Sequence, residues 1–148
     1  MSVTQTTTSG ALKRQGLSAR AWWMGALIVF GAVVMNTAIV LVAHTLLTVA
    51  PTFGPLQYVA AVPTTVIAVI GALVVFVVIS QRSQQPVRLF RRIALIVLAI
   101  SLIPDVAVFV LKLYPGTTLP QVGVLMLMHI ATALLCVSLA PRLLDARK

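Results

Sequence analysis

An acidic residue lies in the middle of an apolar segment that is long enough to cross a membrane. Asp105 follows Pro104 within Ile93–Leu111, where Ser101 is the one other strongly polar residue. A carboxylate at the centre of a bilayer is disfavoured by about 2.5–3.5 kcal/mol on insertion scales, so another group has to compensate it. Because intramembrane acids commonly bind ligands or transfer protons, Asp105 is a candidate site residue.

Three further polar residues are predicted at the depth of Asp105. At the helical rise of 1.5 Å per residue, Asn36, Thr65, Asp105 and His129 lie roughly 21, 22, 18 and 17 Å from one membrane edge. That depth is near the middle of a hydrocarbon core about 30 Å thick. We therefore expect a shared midplane cluster. In it, His129 donates a ring N–H to Asp105, and Asn36 and Thr65 satisfy the remaining lone pairs.

This cluster has two interpretations. In the first, Asp105 and His129 hold a small-molecule ligand or relay protons, and Asn36 and Thr65 orient them. In the second, the protein is a structural or accessory membrane protein, and the cluster only stabilises helix packing at about 0.6–2 kcal/mol per polar contact. An enzyme is the weaker alternative because neither a second acid–base pair nor a nucleophile is visible in the sequence.

The sequence predicts no metal and no cofactor. Bis-histidine haem ligation would need His44 and His129 at one depth, yet their predicted depths differ by more than about 10 Å. A zinc ion bound by Asp105 and His129 would lack two protein ligands. Cys136 is the single cysteine, so an internal disulfide or a redox dithiol is excluded.

The composition requires lipid as the solvent. Of the 148 residues, 60% are hydrophobic and 9% are charged, and residues 21–81 contain no Asp, Glu, Lys or Arg. A soluble domain of this size could not bury that much apolar surface. The excess of 11 Lys and Arg over 2 acids accompanies no nucleic-acid-binding motif, so we reject nucleic acid as a partner.

Four apolar segments separated by proline, glycine or basic residues predict an all-α, integral membrane four-helix bundle. The domain spans residues 21–141, between a low-complexity disordered tail at 1–20 and a basic tail at 142–148. The first apolar run exceeds the 7–15 residues of a signal-peptide core, which disfavours that alternative. The predicted helices cover about 22–49, 58–80, 93–113 and 122–140.

The charge distribution predicts the orientation. With four spans, ten of the 11 basic residues flank the helices on the side of the two chain ends, and Lys112 alone lies on the other. The positive-inside rule then places both termini in the cytoplasm and the protein in the plasma membrane. Its expected partners are the lipid bilayer, a small molecule or a proton, and either a second copy or another membrane protein.

Four short elements resemble an uncharacterised family of small four-span bacterial membrane proteins, classed as a domain of unknown function. They extend over nearly the whole chain after residue 20. The elements are Asn36, the Pro86-x-Arg88-x-Phe90 motif, Ser101 through Pro104-Asp105, and Leu127-Met128-His129. The resemblance implies the four-span architecture and assigns no activity.

Overall fold

The computed structural model describes residues 19–145, which fold into helices without a β-strand. Four of these helices are long and apolar enough to cross a membrane. The all-α four-helix prediction is therefore confirmed. The elements are α1 (Ala19–Leu46), a 3₁₀ turn (Gly54–Leu56), α2 (Tyr58–Arg82), α3 (Pro86–Val110), α4 (Leu119–Leu139) and the short α5 (Arg142–Asp145).

The four long helices form a bundle of antiparallel neighbours joined by short connections. Helix α1 packs on α2 and α4, and α3 packs on α4 and α2. Helix α3 is the most peripheral, because only 6% of its most apolar 18-residue window is buried, compared with 22–28% for the other three. Its two buried residues are Phe90 and Asp105.

Helix α3 begins earlier than the sequence indicated. We expected a polar loop over residues 81–92 with Pro86 as a breaker, but α2 continues to Arg82 and Pro86 opens α3. Proline is favoured at the first helical position because its missing N–H would be unpaired there anyway. The arginines that follow Pro86 consequently lie on the first turns of a helix.

The chain ends are described only in part. Residues 1–18 of the predicted disordered tail and residues 146–148 lie outside the described residues. Ala19 and Arg20, which we assigned to the tail, already belong to α1. At the other end, Leu143 is buried against the apolar core, so the bundle continues beyond Pro141.

Two apolar clusters fill the bundle, one toward each membrane surface. The first contains Ile28, Val69, Phe76, Ile79, Phe90, Cys136, Leu143 and three alanines. The second contains Val40, Phe53, Leu56, Ala61, Leu125 and Met128. Phe76 and Phe90 meet edge to face, with 5.0 Å between their ring centroids, and tie α2 to the start of α3.

We predict that Phe76→Ala destabilises the bundle by about 2 kcal/mol. Removal of the ring leaves a cavity of roughly 100 Å³, and each Å³ of cavity volume is unfavourable by about 24 cal/mol. The transfer term is small because lipid solvates the unfolded helices as well. Unfolding of the purified protein in mixed micelles measures the change. The matched control is Val75→Ala at the exposed neighbouring position; an equal loss in both variants would contradict a packing role for Phe76.

Candidate functional site

A polar layer separates the two apolar clusters. Asn36 and Thr65 are both buried, and each lies one turn from a member of either cluster on its own helix. On α1 the order is Ala32, Asn36, Val40, and on α2 it is Ala61, Thr65, Val69. Because residues four apart share a helix face, both polar side chains point into the bundle.

The Asn36 amide joins three helices. Its Nδ2 donates to Thr65 Oγ1 on α2 and to Thr132 Oγ1 on α4, both at 2.9 Å. Thr65 Oγ1 already donates its own proton to the Ala61 carbonyl at 2.7 Å, so it can only accept from Asn36. This requirement sets the orientation of the amide, with the nitrogen rather than the oxygen toward Thr65.

The other end of the amide has no partner. Asn36 Oδ1 is buried and receives no hydrogen bond. A buried acceptor without a donor is unfavourable by about 1–3 kcal/mol in soluble proteins, so this atom offsets part of what the two donated bonds contribute. The same oxygen is a free acceptor in the centre of the bundle.

Asp105 and His129 form a second polar group between α3 and α4. Asp105 Oδ2 lies 3.1 Å from His129 Nδ1, which also lies 2.9 Å from the carbonyl oxygen of Leu125. Both neighbours of Nδ1 are acceptors, so in the neutral ring this nitrogen carries the proton and Nε2 is the acceptor. The N–H is aligned with the Leu125 carbonyl, and Asp105 Oδ2 is left without an aligned hydrogen bond.

The two partners differ in exposure. The Asp105 side chain is 9% exposed, whereas the His129 side chain is 41% exposed. The carboxylate is therefore enclosed by α3 and α4, and the imidazole reaches the outer surface of the bundle. Anything that approaches this pair from the surface meets the ring first.

The four predicted residues do not form the single group that we expected. The hydrogen bonds place Asn36 and Thr65 in one group, and the short contact places Asp105 and His129 in another. The expectation that Asn36 and Thr65 satisfy the lone pairs of Asp105 was wrong. The Thr65 hydroxyl donates its proton to a carbonyl of its own helix, and the Asn36 amide nitrogen donates to two threonines.

The half-buried Thr132 and the buried Gln121 make contacts that the candidate set omitted. Thr132 is one turn from both His129 and the buried Cys136 on α4, and this spacing was the signal that could have placed it beside Asn36. Gln121 is 1% exposed; its Nε2 donates to the Thr48 carbonyl, and its Oε1 accepts from the Thr118 N–H. The Thr118-x-x-Gln121 spacing is a capping-box signature at the start of α4.

His44 lies apart from both polar groups. Its Nδ1 is 2.9 Å from the Val40 carbonyl oxygen, and its ring stacks on Tyr58 with 5.5 Å between centroids. Within residues 19–145, no three His, Cys, Asp or Glu side chains converge as ligands for a metal ion.

Two shallow surface concavities of the described chain are lined by residues outside the polar groups. One, of about 530 Å³, is lined by the outer face of α3 from Ala99 to Leu111. The other lies where α3 meets the connection to α4, around Tyr114 and Gly116. Neither is lined by Asn36, Thr65, Asp105 or His129.

Comparison with known proteins identifies the family. The model of a family of unknown function, DUF6069, matches residues 17–146. The chain belongs to this family. The resemblance drawn from the four short elements is confirmed, and the DUF6069 description assigns no activity. No curated protein and no solved structure gives a significant match.

We predict that Asn36→Ala and Thr132→Ala are coupled in a double-mutant cycle by about 0.6 kcal/mol, the average for interhelical hydrogen bonds in membrane proteins. Each single variant removes the same bond, so the double variant loses less than the sum. Unfolding in mixed micelles supplies the four free energies. Thr45→Ala is the control partner, since Thr45 is exposed and bonds only to the Val42 carbonyl; strictly additive losses for Asn36 and Thr132 would contradict the contact.

Proposed function

We propose that this small multi-pass membrane protein binds a proton or a small hydrogen-bonding ligand at Asp105 and His129, and that the Asn36 layer holds the bundle that positions them. The observation that carries the proposal is the 3.1 Å approach of a buried carboxylate to an imidazole whose side chain is 41% exposed. Intramembrane ionisable groups of this kind mark proton relays and ligand sites in membrane proteins.

Charge balance supports a proton-handling role. With one shared proton, the pair is either a neutral acid beside a neutral ring or a carboxylate beside an imidazolium, and both forms have zero net charge. Removing that proton leaves one net negative charge in the hydrocarbon, which is disfavoured by about 2.5–3.5 kcal/mol. A proton neutralises the carboxylate, and a ligand that donates a hydrogen bond stabilises the carboxylate in its charged form.

The exposed ring supports access from outside the bundle. In the tautomer that donates from Nδ1, His129 presents Nε2 as an acceptor. A lone acceptor in hydrocarbon is unfavourable, so this nitrogen favours a donor that arrives from the surface. The Asn36 layer is less accessible, because Asn36 and Thr65 are buried and Thr132 is half-buried.

The second candidate function is a structural or accessory membrane protein in which both polar groups only stabilise helix packing. The three-helix junction at Asn36 favours it, because a side chain with two interhelical hydrogen bonds acts as a structural contact. The two concavities also favour it, since neither is lined by Asp105 or His129.

Infrared spectroscopy of the carboxyl groups tests the proton site, since the chain has only two acidic residues, Asp105 and Asp145. We expect a carboxyl C=O band that disappears in Asp105→Asn, remains in Asp145→Asn, and titrates at a different pH in His129→Gln. Asn is isosteric with Asp, and Gln replaces the imidazole by a polar amide that does not titrate. Proton flux into vesicles containing each variant then shows whether the site also conducts.

The structural alternative has the opposite outcome. If the cluster only stabilises packing, Asp105→Asn and His129→Gln should lower the unfolding free energy or the folded yield, with no titrating band and no change in proton flux. An intact bundle that keeps one unshifted carboxyl band in His129→Gln would contradict the paired site, whichever role the rest of the protein has.

We also propose that both termini face the cytoplasm of a cell whose plasma membrane holds the protein, on the basis of the ten-to-one charge distribution. In a Cys136→Ala background, Gln84→Cys between α2 and α3 should react with an impermeant thiol reagent only after the cells are opened. Thr52→Cys, in the connection between α1 and α2, should react in intact cells. The reverse labelling pattern would overturn this orientation.

A further inference from the structure

Three arginines share one face of the first turns of α3. Arg88, Arg91 and Arg92 are all exposed, and their three- and four-residue spacing aligns them. Among the side chains that the structure describes, none of the three is within ion-pair distance of a carboxylate. Their charges are therefore uncompensated by the described part of the chain.

The start of α3 adds to this positive charge. Its first turn contains no acidic residue, and no side chain caps its free N–H groups. The positive end of the helix dipole consequently points toward the same membrane surface as the three arginines.

An apolar surface continues along the same helix face. Beyond the arginines lie Leu95, Ile96, Ala99 and Ile103, and the concavity of about 530 Å³ begins at Ala99. At 1.5 Å per residue, Ala99 lies about 10 Å and Ile103 about 16 Å along the axis from Arg92. One leaflet occupies about 15 Å of hydrocarbon, so the near part of this concavity is at the depth of an acyl chain in that leaflet.

We propose that this face of α3 is a binding site for one anionic phospholipid of the leaflet in which α3 begins. The phosphate is held by the forked guanidinium groups of Arg88, Arg91 and Arg92, which match its geometry in a bidentate manner. An acyl chain lies along Leu95 and Ile96 and ends in the concavity near Ile103.

Charge complementarity selects the lipid over a second copy of the chain. A two-fold partner in the same orientation would place its three arginines against these three, and that arrangement is repulsive. Topology alone explains the number of arginines on this side of the membrane. It does not explain why three lie on one helix face above an apolar concavity, and this inference does not depend on the role of Asp105 and His129.

Fluorescence quenching by brominated lipid measures which lipid contacts this face. In a background in which Trp22 and Trp23 are phenylalanine, Ile96→Trp provides a reporter beside the proposed acyl chain. Leu27→Trp provides the control at a similar depth on the exposed surface of α1, which packs mainly on α2 and α4. Each reporter is placed in phosphatidylcholine vesicles containing brominated phosphatidylglycerol, or brominated phosphatidylcholine at the same mole fraction.

We expect phosphatidylglycerol to be preferred about fivefold at Ile96→Trp and not at Leu27→Trp, which corresponds to about 1 kcal/mol in total, the size of one basic contact at the membrane surface. A charge-relocated variant tests the arginines. Arg88→Gln, Arg91→Gln and Arg92→Gln are combined with Ser83→Lys, Gln84→Lys and Gln85→Lys. This variant keeps the number of basic residues at the membrane surface where α2 ends and α3 begins, and therefore the topology, and should abolish the preference at Ile96→Trp.

Three outcomes would overturn the proposal. An equal preference at both reporters indicates diffuse attraction to a basic surface. A preference that survives charge relocation excludes the arginines as the headgroup site. Absence of quenching by either lipid at Ile96→Trp, with normal quenching at Leu27→Trp, shows that another protein chain covers this face.

Discussion

No water is available at the bilayer midplane to hydrate a polar group, and this constraint determines how the interior of the bundle is arranged. Every amide, hydroxyl or carboxylate at that depth has to find its partner on another helix or on its own backbone. The Asn36 amide nitrogen meets this constraint by donating to two threonines on two other helices, whereas the amide oxygen has no partner. Because one side chain links α1, α2 and α4, it determines how these helices are aligned with one another.

The apolar clusters follow from that alignment. Since each side chain of the polar layer lies one turn from an apolar neighbour on either side, aligning the polar residues also aligns the residues above and below them. Between helices in lipid, association depends on close packing more than on apolar burial. Small residues at the contacts, such as Ala32 and Ala61, allow the close approach at which the Asn36 hydrogen bonds reach 2.9 Å.

Helix α3 is attached to the rest of the bundle by few buried side chains. It contributes one aromatic contact at its start and one carboxylate near its middle, and most of its remaining surface faces outward. A helix with so few buried side chains is held less firmly than α1, α2 or α4, and Pro104 interrupts its backbone hydrogen bonds one residue before Asp105. The Asp105–His129 pair thus joins the most peripheral helix to α4.

The sequence by itself determined the solvent, the helical class and the family. Apolar segments of about twenty residues can satisfy their backbone hydrogen bonds in lipid only as helices, and helical rise alone brought Asn36, Thr65, Asp105 and His129 to one depth. Rise gives depth along an axis but says nothing about rotation around it. Only the tertiary structure decided that Asn36 turns toward Thr132 and not toward Asp105, because helix rotation depends on the packing of all the neighbouring faces together.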